Sequence, residues 1–211
     1  MRPRVLLVEG QDELRVLPEL LELAGISWPK DNEPVCIKQL EGVENLLAAG
    51  VIEVELKATG LEALGILVDA DGDPSARWKQ VRGRLAPSYQ NFPEQLERDG
   101  AVHVSNGTPR VGVWVMPDNV RAGMLETMLL GLRGDEDDEL QGHVCEATGR
   151  ARDFGARYRD AHRAKAELHT WLAWQDPPGL QMHMGVKAGL LKPASPLTDG
   201  FVRWFRKLFG I

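Results

Sequence analysis

The sequence predicts an α/β protein with a mainly parallel sheet that is covered by helices. One observation supports this class, and a second indicates where the α/β core ends. Four short aliphatic runs alternate with longer amphipathic runs of helical period, and the alternation stops after residue 133. We therefore predict an α/β core over residues 1–133, followed by a mostly helical C-terminal part over 134–211 that packs on the core to form one compact unit.

The predicted elements follow in chain order. Each strand is an apolar run, and each helix carries apolar residues three or four positions apart. Gly25 is placed to end the first helix, and Ser75 to cap the third. Residues 140–175 are also predicted to be helical, and the proline-containing stretch 176–200 to be rich in loops. The predicted strands are 4–10, 35–42, 65–73 and 110–119, and the predicted helices are 11–25, 43–59, 75–86, 122–132 and 201–209.

Composition bounds the class of protein. The 211 residues suffice to bury a core, and no apolar stretch approaches the roughly 18 residues of a membrane-spanning helix. The apolar run before Glu9 is too short for a signal peptide, and Cys36 and Cys145 lie far apart in the chain. We therefore expect a cytoplasmic protein with free thiols and no membrane association.

Charge is distributed unevenly along the chain. Residues 1–149 have a net charge of −12 and residues 150–211 one of +6. A metal site together with a surface for a polyanion would explain this asymmetry, and so would chance. Basic residues are frequent in the helix predicted after the acidic strand and in residues 149–165. In both segments they could contact nucleic-acid phosphates or simply form solvated helix faces. The candidates for nucleic-acid contact are Arg77, Arg157, Arg159 and Arg163.

The stretch ILVDADGD, residues 66–73, places three aspartates two residues apart at the end of an apolar run. Two such charges ~4 Å apart repel by about 4 kcal/mol at an effective dielectric constant of ~20. A bound Mg²⁺ would turn this repulsion into attraction, and Mg²⁺ prefers oxygen ligands. A solvated acidic turn is the alternative. An EF-hand loop is a poor fit because Pro74 stands where that loop needs glycine.

Acidic residues also end other predicted strands. Glu9 ends the first, and Asp118 lies in the Pro-Asp-Asn turn after the fourth. Since ligands of parallel sheets bind beyond the carboxyl ends of the strands, we expect these acids and the aspartate cluster to meet at one edge.

These motifs resemble the TOPRIM domain that topoisomerases, primases and OLD-family nucleases share. The resemblance rests on V-E-G at residues 8–10 and D-x-D at 69–71. The order of VEGQDE, VDADGDPSARW, VGVWVMPDN, GMLETMLL and KAELHTWLAWQ is also similar to a small TOPRIM-related family of stand-alone prokaryotic proteins. The resemblance spans nearly the whole chain and implies a TOPRIM-like fold for residues 1–133.

The resemblance also implies roles for individual residues. Glu9 matches the TOPRIM glutamate, which binds metal or transfers a proton, and Lys165 matches the phosphate-binding lysine of the OLD branch, with Lys187 second. The cofactor implied is Mg²⁺ or Mn²⁺, held as a two-ion site in that branch. The residues expected to bind metal are Glu9, Asp12, Glu13, Asp69, Asp71, Asp73 and Glu126.

The implied function is a magnesium-dependent nuclease, or a related phosphoryl-transfer enzyme, that acts on nucleic acid in a phage-defence or mobile-element setting. DNA is favoured over RNA as the substrate. Tyr89 and Tyr158 lie in no motif that would support covalent strand passage. One alternative is a non-catalytic module that binds metal or nucleotide and serves a partner ATPase, since the chain has no P-loop motif of its own. A receiver-type phosphoacceptor ranks last, because the first strand supplies a single acid, Glu9.

Overall fold

The computed structural model describes residues 3–89, 92–104, 107–134, 137–193 and 195–211. Its five strands form one sheet in the order β2-β1-β3-β5-β4, in which β4 alone is antiparallel to its neighbour. The predicted α/β class and mainly parallel sheet are confirmed. The strands are β1 (Arg4–Val8), β2 (Cys36–Gln39), β3 (Ala63–Asp69), β4 (Ala101–His103) and β5 (Arg110–Met116).

Helices connect the strands and form the C-terminal part of the chain. No described helix is both long and apolar enough to cross a lipid bilayer. The helices are α1 (Gln11–Leu23), α2 (Val43–Leu46), α3 (Val51–Leu56), α4 (Pro74–Leu85), α5 (Leu125–Leu130), α6 (Asp138–Ala151), α7 (Arg163–Ala173), α8 (Met182–Lys187) and α9 (Pro196–Phe209).

Four local predictions were wrong. The continuous helical stretch predicted over 140–175 is divided into α6 and α7, because the α-helix is interrupted over residues 152–162, where Gly155 adopts a left-handed φ of 94°. The single helix predicted over 43–59 is split into α2 and α3, because Gly50 adopts a left-handed conformation with φ of 87° between them. Ser75 does not cap α4, because the Asp73 carboxylate accepts the capping hydrogen bond from the Ala76 N–H at 3.0 Å. The stretch predicted to be rich in loops contains α8 and the start of α9, where Pro196 occupies the first turn.

Side chains of the central strands alternate between two buried layers. Val5 and Leu7 of β1 pack on the side of α4, whereas Leu6 and Val8 pack on the side of α1 and α9. This apolar character on both faces is typical of parallel strands covered by helices. Residues from both sides of position 133 share the second layer, including Met128 and Phe205.

The strand order creates a crevice between β1 and β3. The chain leaves β1 through α1 toward β2 on one side, and leaves β3 through α4 toward β4, beyond β5, on the other, with α1 and α4 on opposite faces of the sheet. The carboxyl ends of two neighbouring strands therefore diverge at this point, where ligands of open α/β sheets usually bind.

Candidate functional site

A cavity of about 530 Å³ opens at the carboxyl ends of β1 and β3. Its lining includes seven carboxylates, one lysine and one histidine, so the cavity is strongly acidic. The carboxylates come from the ends of β1 and β3, the loop after β2, and the first turns of α1 and α5. They are Glu9, Asp12, Glu13, Glu41, Asp69, Asp71 and Glu126.

Glu9 and Asp69 are linked directly. The Oε1 atom of Glu9 accepts a hydrogen bond from the Asp69 N–H at 2.8 Å, and Oδ1 of Asp69 accepts one from the Leu125 N–H at 3.0 Å. Asp69 thus ties the start of α5 to the end of β3.

Burial dominates the ionisation of both groups. It raises the pKa of Glu9 to about 7, although the hydrogen bond from Asp69 and the charge of Arg77 act in the opposite direction. Burial also raises the pKa of Asp69 well above its usual value, and the neighbouring charges of Glu9, Glu13 and Glu126 add to this shift. The ionised site is therefore penalised, and a bound cation would relieve the penalty.

Glu13 is held by the backbone that follows β1. Its Oε2 atom accepts a hydrogen bond from the Gly10 N–H at 3.0 Å, which fixes the carboxylate in the first turn of α1. Burial raises the pKa of Glu13, and the charge of Glu126 adds to this effect, while the backbone hydrogen bonds oppose it.

Asp71 is positioned by its backbone and by Arg77. Residue 71 has a left-handed φ of 51°, and it exchanges two backbone hydrogen bonds with Gly123, at 2.9 and 2.8 Å. The Arg77 Nη2 atom pairs with Asp71 Oδ2 at 2.6 Å, while its Nε donates to the Asp69 carbonyl at 2.8 Å. Arg77, predicted to contact nucleic acid, has a side chain only 11% exposed and holds the D-x-D segment through these contacts.

Lys165 joins two acids from other helices. Its Nζ atom lies 2.9 Å from Oδ2 of Asp12 on α1 and 3.1 Å from Oε1 of Glu126 on α5. Burial disfavours the charged ammonium, but the bonds to these two carboxylates outweigh it and raise the lysine pKa. Lys187, the second candidate lysine, pairs with Glu19 at 3.5 Å and is not among the residues that line this cavity.

Two predicted acids have other partners. Asp73 is not part of the cavity lining, since its carboxylate caps α4. Asp118 accepts hydrogen bonds from the backbone of Val120 and Arg121, and pairs with the Arg121 guanidinium at 2.7 Å. Although burial acts to raise the pKa of Asp118, these bonds lower it overall, and the residue stabilises the turn after β5.

The predicted basic surface reaches the rim of the cavity. His162 lines the cavity, and the Arg159 Nη2 atom lies 3.0 Å from its Nε2. Arg157 is exposed, whereas Arg163 pairs with Glu167 of its own helix at 2.8 Å. Of the three arginines in this segment, Arg159 thus has the clearest link to the acidic cavity.

A second groove, of about 800 Å³, adjoins the site along α4. It shares Asp71 with the acidic cavity, and its lining includes Arg77, Lys79 and Arg84. Basic residues therefore lie on two sides of the carboxylates, along α4 and at the Arg159 rim.

The carboxylates of the cavity are suitable ligands for a hard divalent cation. In the structure, however, several of their oxygens accept hydrogen bonds from protein N–H groups. Within the described residues, no three His, Cys, Asp or Glu side chains are grouped so as to hold a metal ion. Glu9 accepts a hydrogen bond from the Asp69 backbone, and Asp71 pairs with Arg77. All the candidate ligands are nevertheless carboxylate oxygens, as Mg²⁺ and Mn²⁺ prefer.

Sequence reasoning missed two residues of the site. Glu41 follows β2 by two positions and lines the cavity, so the strand-end argument applied to Glu9 could have found it. His162 had no motif, and only the tertiary fold brings it to the rim.

The fold and the cavity define an α/β protein with an acidic site at the point where the strand connections of its sheet diverge. The chain belongs to the family described as "Protein of unknown function (DUF3226)", which matches residues 3–210. No curated protein and no solved structure matches the chain.

Proposed function

We propose that the protein is a TOPRIM-type, metal-dependent nuclease or a related phosphoryl-transfer enzyme that acts on nucleic acid, with DNA favoured over RNA. The observation that carries this proposal is the meeting of Glu9, Asp69, Asp71 and Lys165 in one cavity at the carboxyl ends of β1 and β3. These residues match the TOPRIM glutamate, its D-x-D pair and the lysine of the OLD branch. A phage-defence setting and a partner ATPase in trans remain part of the same proposal.

Glu9, Asp69 and Asp71 are the residues that would hold Mg²⁺ or Mn²⁺. Such an ion, when bound, polarises a phosphoryl oxygen and lowers the pKa of a bound water. Asp69 keeps its position through the Leu125 N–H, and Asp71 keeps its position through the backbone of Gly123 and the Arg77 guanidinium.

Glu9 and Lys165 are the proposed catalytic residues. Glu9 commits its Oε1 atom to the Asp69 N–H, and its carboxylate is the group proposed to act as a general base toward water. The Lys165 ammonium carries a positive charge that can offset the negative charge developing on the phosphoryl oxygens.

The basic residues around the cavity support a polyanionic substrate. An acidic cavity repels phosphates, so a nucleic acid needs positive charge beside it to be held over the carboxylates. Lys79 and Arg84 on the α4 side and Arg159 on the α7 side supply that charge. A nucleic-acid strand bound along both of these sides would pass over Asp71.

A cleavage assay tests this proposal. Single-stranded DNA, duplex DNA and RNA would each be incubated with Mg²⁺, Mn²⁺ or EDTA. We expect cleavage of DNA that requires metal and that falls by at least about 100-fold in Glu9→Gln, as is typical when a general base is lost. Glu22→Gln, an exposed position on α1, is the matched control and should keep full activity. Absence of cleavage on every substrate with either metal would contradict the proposal.

The pairing of the cavity acids with protein groups favours a second candidate, a non-catalytic binding module that serves a partner. Lys165 already neutralises Asp12 and Glu126 without any added cation. For this candidate we expect Mg²⁺ to raise the melting temperature while no nucleic acid is cleaved, with the partner ATPase supplying the turnover.

A further inference from the structure

We propose that the ammonium group of Lys165 takes the place of a second cation, so that the cavity binds one divalent ion rather than two. This inference rests on the proposed function, because it concerns how many ions the same site accepts. It departs from the two-ion arrangement that the resemblance to OLD nucleases implies.

Six of the seven acids that line the cavity fall into two groups, and Glu41, in the loop after β2, belongs to neither. Asp12 and Glu126, expected to help complete a two-ion site, lie 2.9 and 3.1 Å from Lys165 Nζ. Glu13, the third such acid, is bonded to the Gly10 N–H. The Lys165 ammonium therefore occupies the space between two of the three carboxylates that a second ion would need.

The second group has no contact with the lysine ammonium. Glu9 and Asp69 accept hydrogen bonds from backbone N–H groups, and each uses one carboxylate oxygen to do so. Asp71 pairs with Arg77, and its side chain is 48% exposed to solvent. One ion held by these three acids would leave Lys165 undisturbed, although it would share Asp71 with the Arg77 guanidinium.

The backbone of Lys165 is fixed by its buried helix, and one of its two carboxylate partners is nearly buried. Leu168 and Trp171 of the same helix are fully buried, so α7 cannot shift without disrupting the core. The side chain of Glu126 is only 5% exposed, and losing its lysine partner would leave a nearly buried charge unpaired. A divalent ion placed between Asp12 and Glu126 would have to displace the Lys165 ammonium or meet its charge at short range, and both are unfavourable.

The test is the stoichiometry of Mn²⁺ binding, measured by isothermal titration calorimetry on the full chain. We expect one ion per chain in the wild type and two in Lys165→Met, which keeps the length of the side chain and removes its charge. Lys187→Met is the matched control, because that lysine pairs with Glu19 on the surface, and it should still bind one ion. Adding Glu126→Gln to Lys165→Met should return the count to one.

The outcomes separate this inference from the proposed function. Two ions in the wild type would overturn the inference and leave the metal-dependent enzyme standing. An unchanged count in Lys165→Met, shown to be folded by circular dichroism, would also overturn it. No binding in any variant would overturn the metal site itself and the inference with it.

Discussion

Glu9 ends β1 with one carboxylate oxygen committed to the Asp69 backbone, and burial raises its pKa to about 7. Its neighbour Asp69 is shifted in the same direction, so the two groups share the cost of holding negative charge in the cavity. Protonation near neutral pH therefore stabilises the fold when no metal is present. Metal binding would replace that proton.

The first prediction concerns the pH dependence of stability without metal. A folded-state pKa raised from 4.5 to about 7 means that the contribution of Glu9 is present below about pH 4.5 and is lost as pH rises through 7. Glu9→Gln mimics the protonated form. We expect the free energy of unfolding of Glu9→Gln, relative to that of the wild type, to rise by about 2–3 kcal/mol between pH 4.5 and pH 8. This figure allows for the partial exposure of the site.

Urea unfolding in EDTA at several pH values measures this difference. Glu22→Gln, the exposed control on α1, should differ from the wild type by a constant amount. A difference for Glu9→Gln that does not vary with pH would contradict the raised pKa.

At the scale of elements, α9 lies against the sheet where two glycines leave room for it. Gly65 of β3 and Gly112 of β5 are paired in register, and the Leu208 side chain packs over both. A methyl group at Gly65 would lie 2.6 Å from Leu6 Cδ1 and 3.1 Å from Leu208 Cδ2. This close approach brings the C-terminal helix onto the strands that carry the site.

The second prediction follows from that packing. Gly65→Ala should lower the free energy of unfolding by about 1–3 kcal/mol, because overpacking forces buried side chains to move. Gly83→Ala is the matched control, since a methyl group there meets no atom within 4 Å and Gly83 is exposed in α4. We expect Gly83→Ala to be neutral or to stabilise by about 0.5 kcal/mol. Equal effects of the two substitutions in denaturant unfolding would count against this packing.

The sequence predicted the longer elements better than the short ones. β1 and α1 have strong apolar patterns, and Gly25 follows the end of α1 with a left-handed φ of 80°, as predicted. β4 escaped prediction because its three residues are too short to show a periodicity. The break at Gly50 was missed because glycine is tolerated within helical patterns, so its conformation depends on the surrounding fold.

The residues of the site likewise divide into those that the sequence could predict and those that it could not. Glu9 and Asp69 could be placed together because strand ends of a parallel sheet share one edge. The partners of Arg77 and Lys165 could not, because they depend on tertiary contacts, and Lys165 meets Asp12 across 153 positions of the chain. The Lys165 assignment came from the family resemblance and not from any local pattern.

At the scale of the whole molecule, the acidic cavity has positive charge on two sides. The chain as a whole has a net charge of −6, so binding of a polyanion requires this local arrangement rather than the average charge. Arg157 and Arg159 belong to the short segment between α6 and α7 that leads to the cavity rim.

The third prediction is that DNA binding depends steeply on salt and on this segment. Each phosphate neutralised in a duplex should add about −0.9 to the slope of log affinity against log salt concentration. We expect Arg159→Glu and Arg157→Glu each to weaken binding and to flatten that slope, with unchanged melting temperature. Lys207→Glu is the control, because Lys207 is exposed near the end of α9. That helix ends at Gly210 beside Arg110, the first residue of β5, and so at the amino ends of the parallel strands rather than at the cavity.

Fluorescence anisotropy in EDTA, which prevents cleavage, would supply the affinities. Binding that does not change with salt, or equal losses in Arg159→Glu and Lys207→Glu, would show that this segment does not hold the nucleic acid. The basic segment would then suit a protein partner better.

The central claim is that the acids at the ends of β1 and β3 hold a divalent cation. The most direct test is anomalous diffraction from crystals of the protein soaked in Mn²⁺. We predict one anomalous peak in the cavity, within about 2.5 Å of carboxylate oxygens from Glu9, Asp69 or Asp71, with Lys165 still paired to Asp12 and Glu126. No peak in the cavity at millimolar Mn²⁺, with the Glu9 and Asp71 carboxylates still bonded to Asp69 and Arg77, would contradict the account.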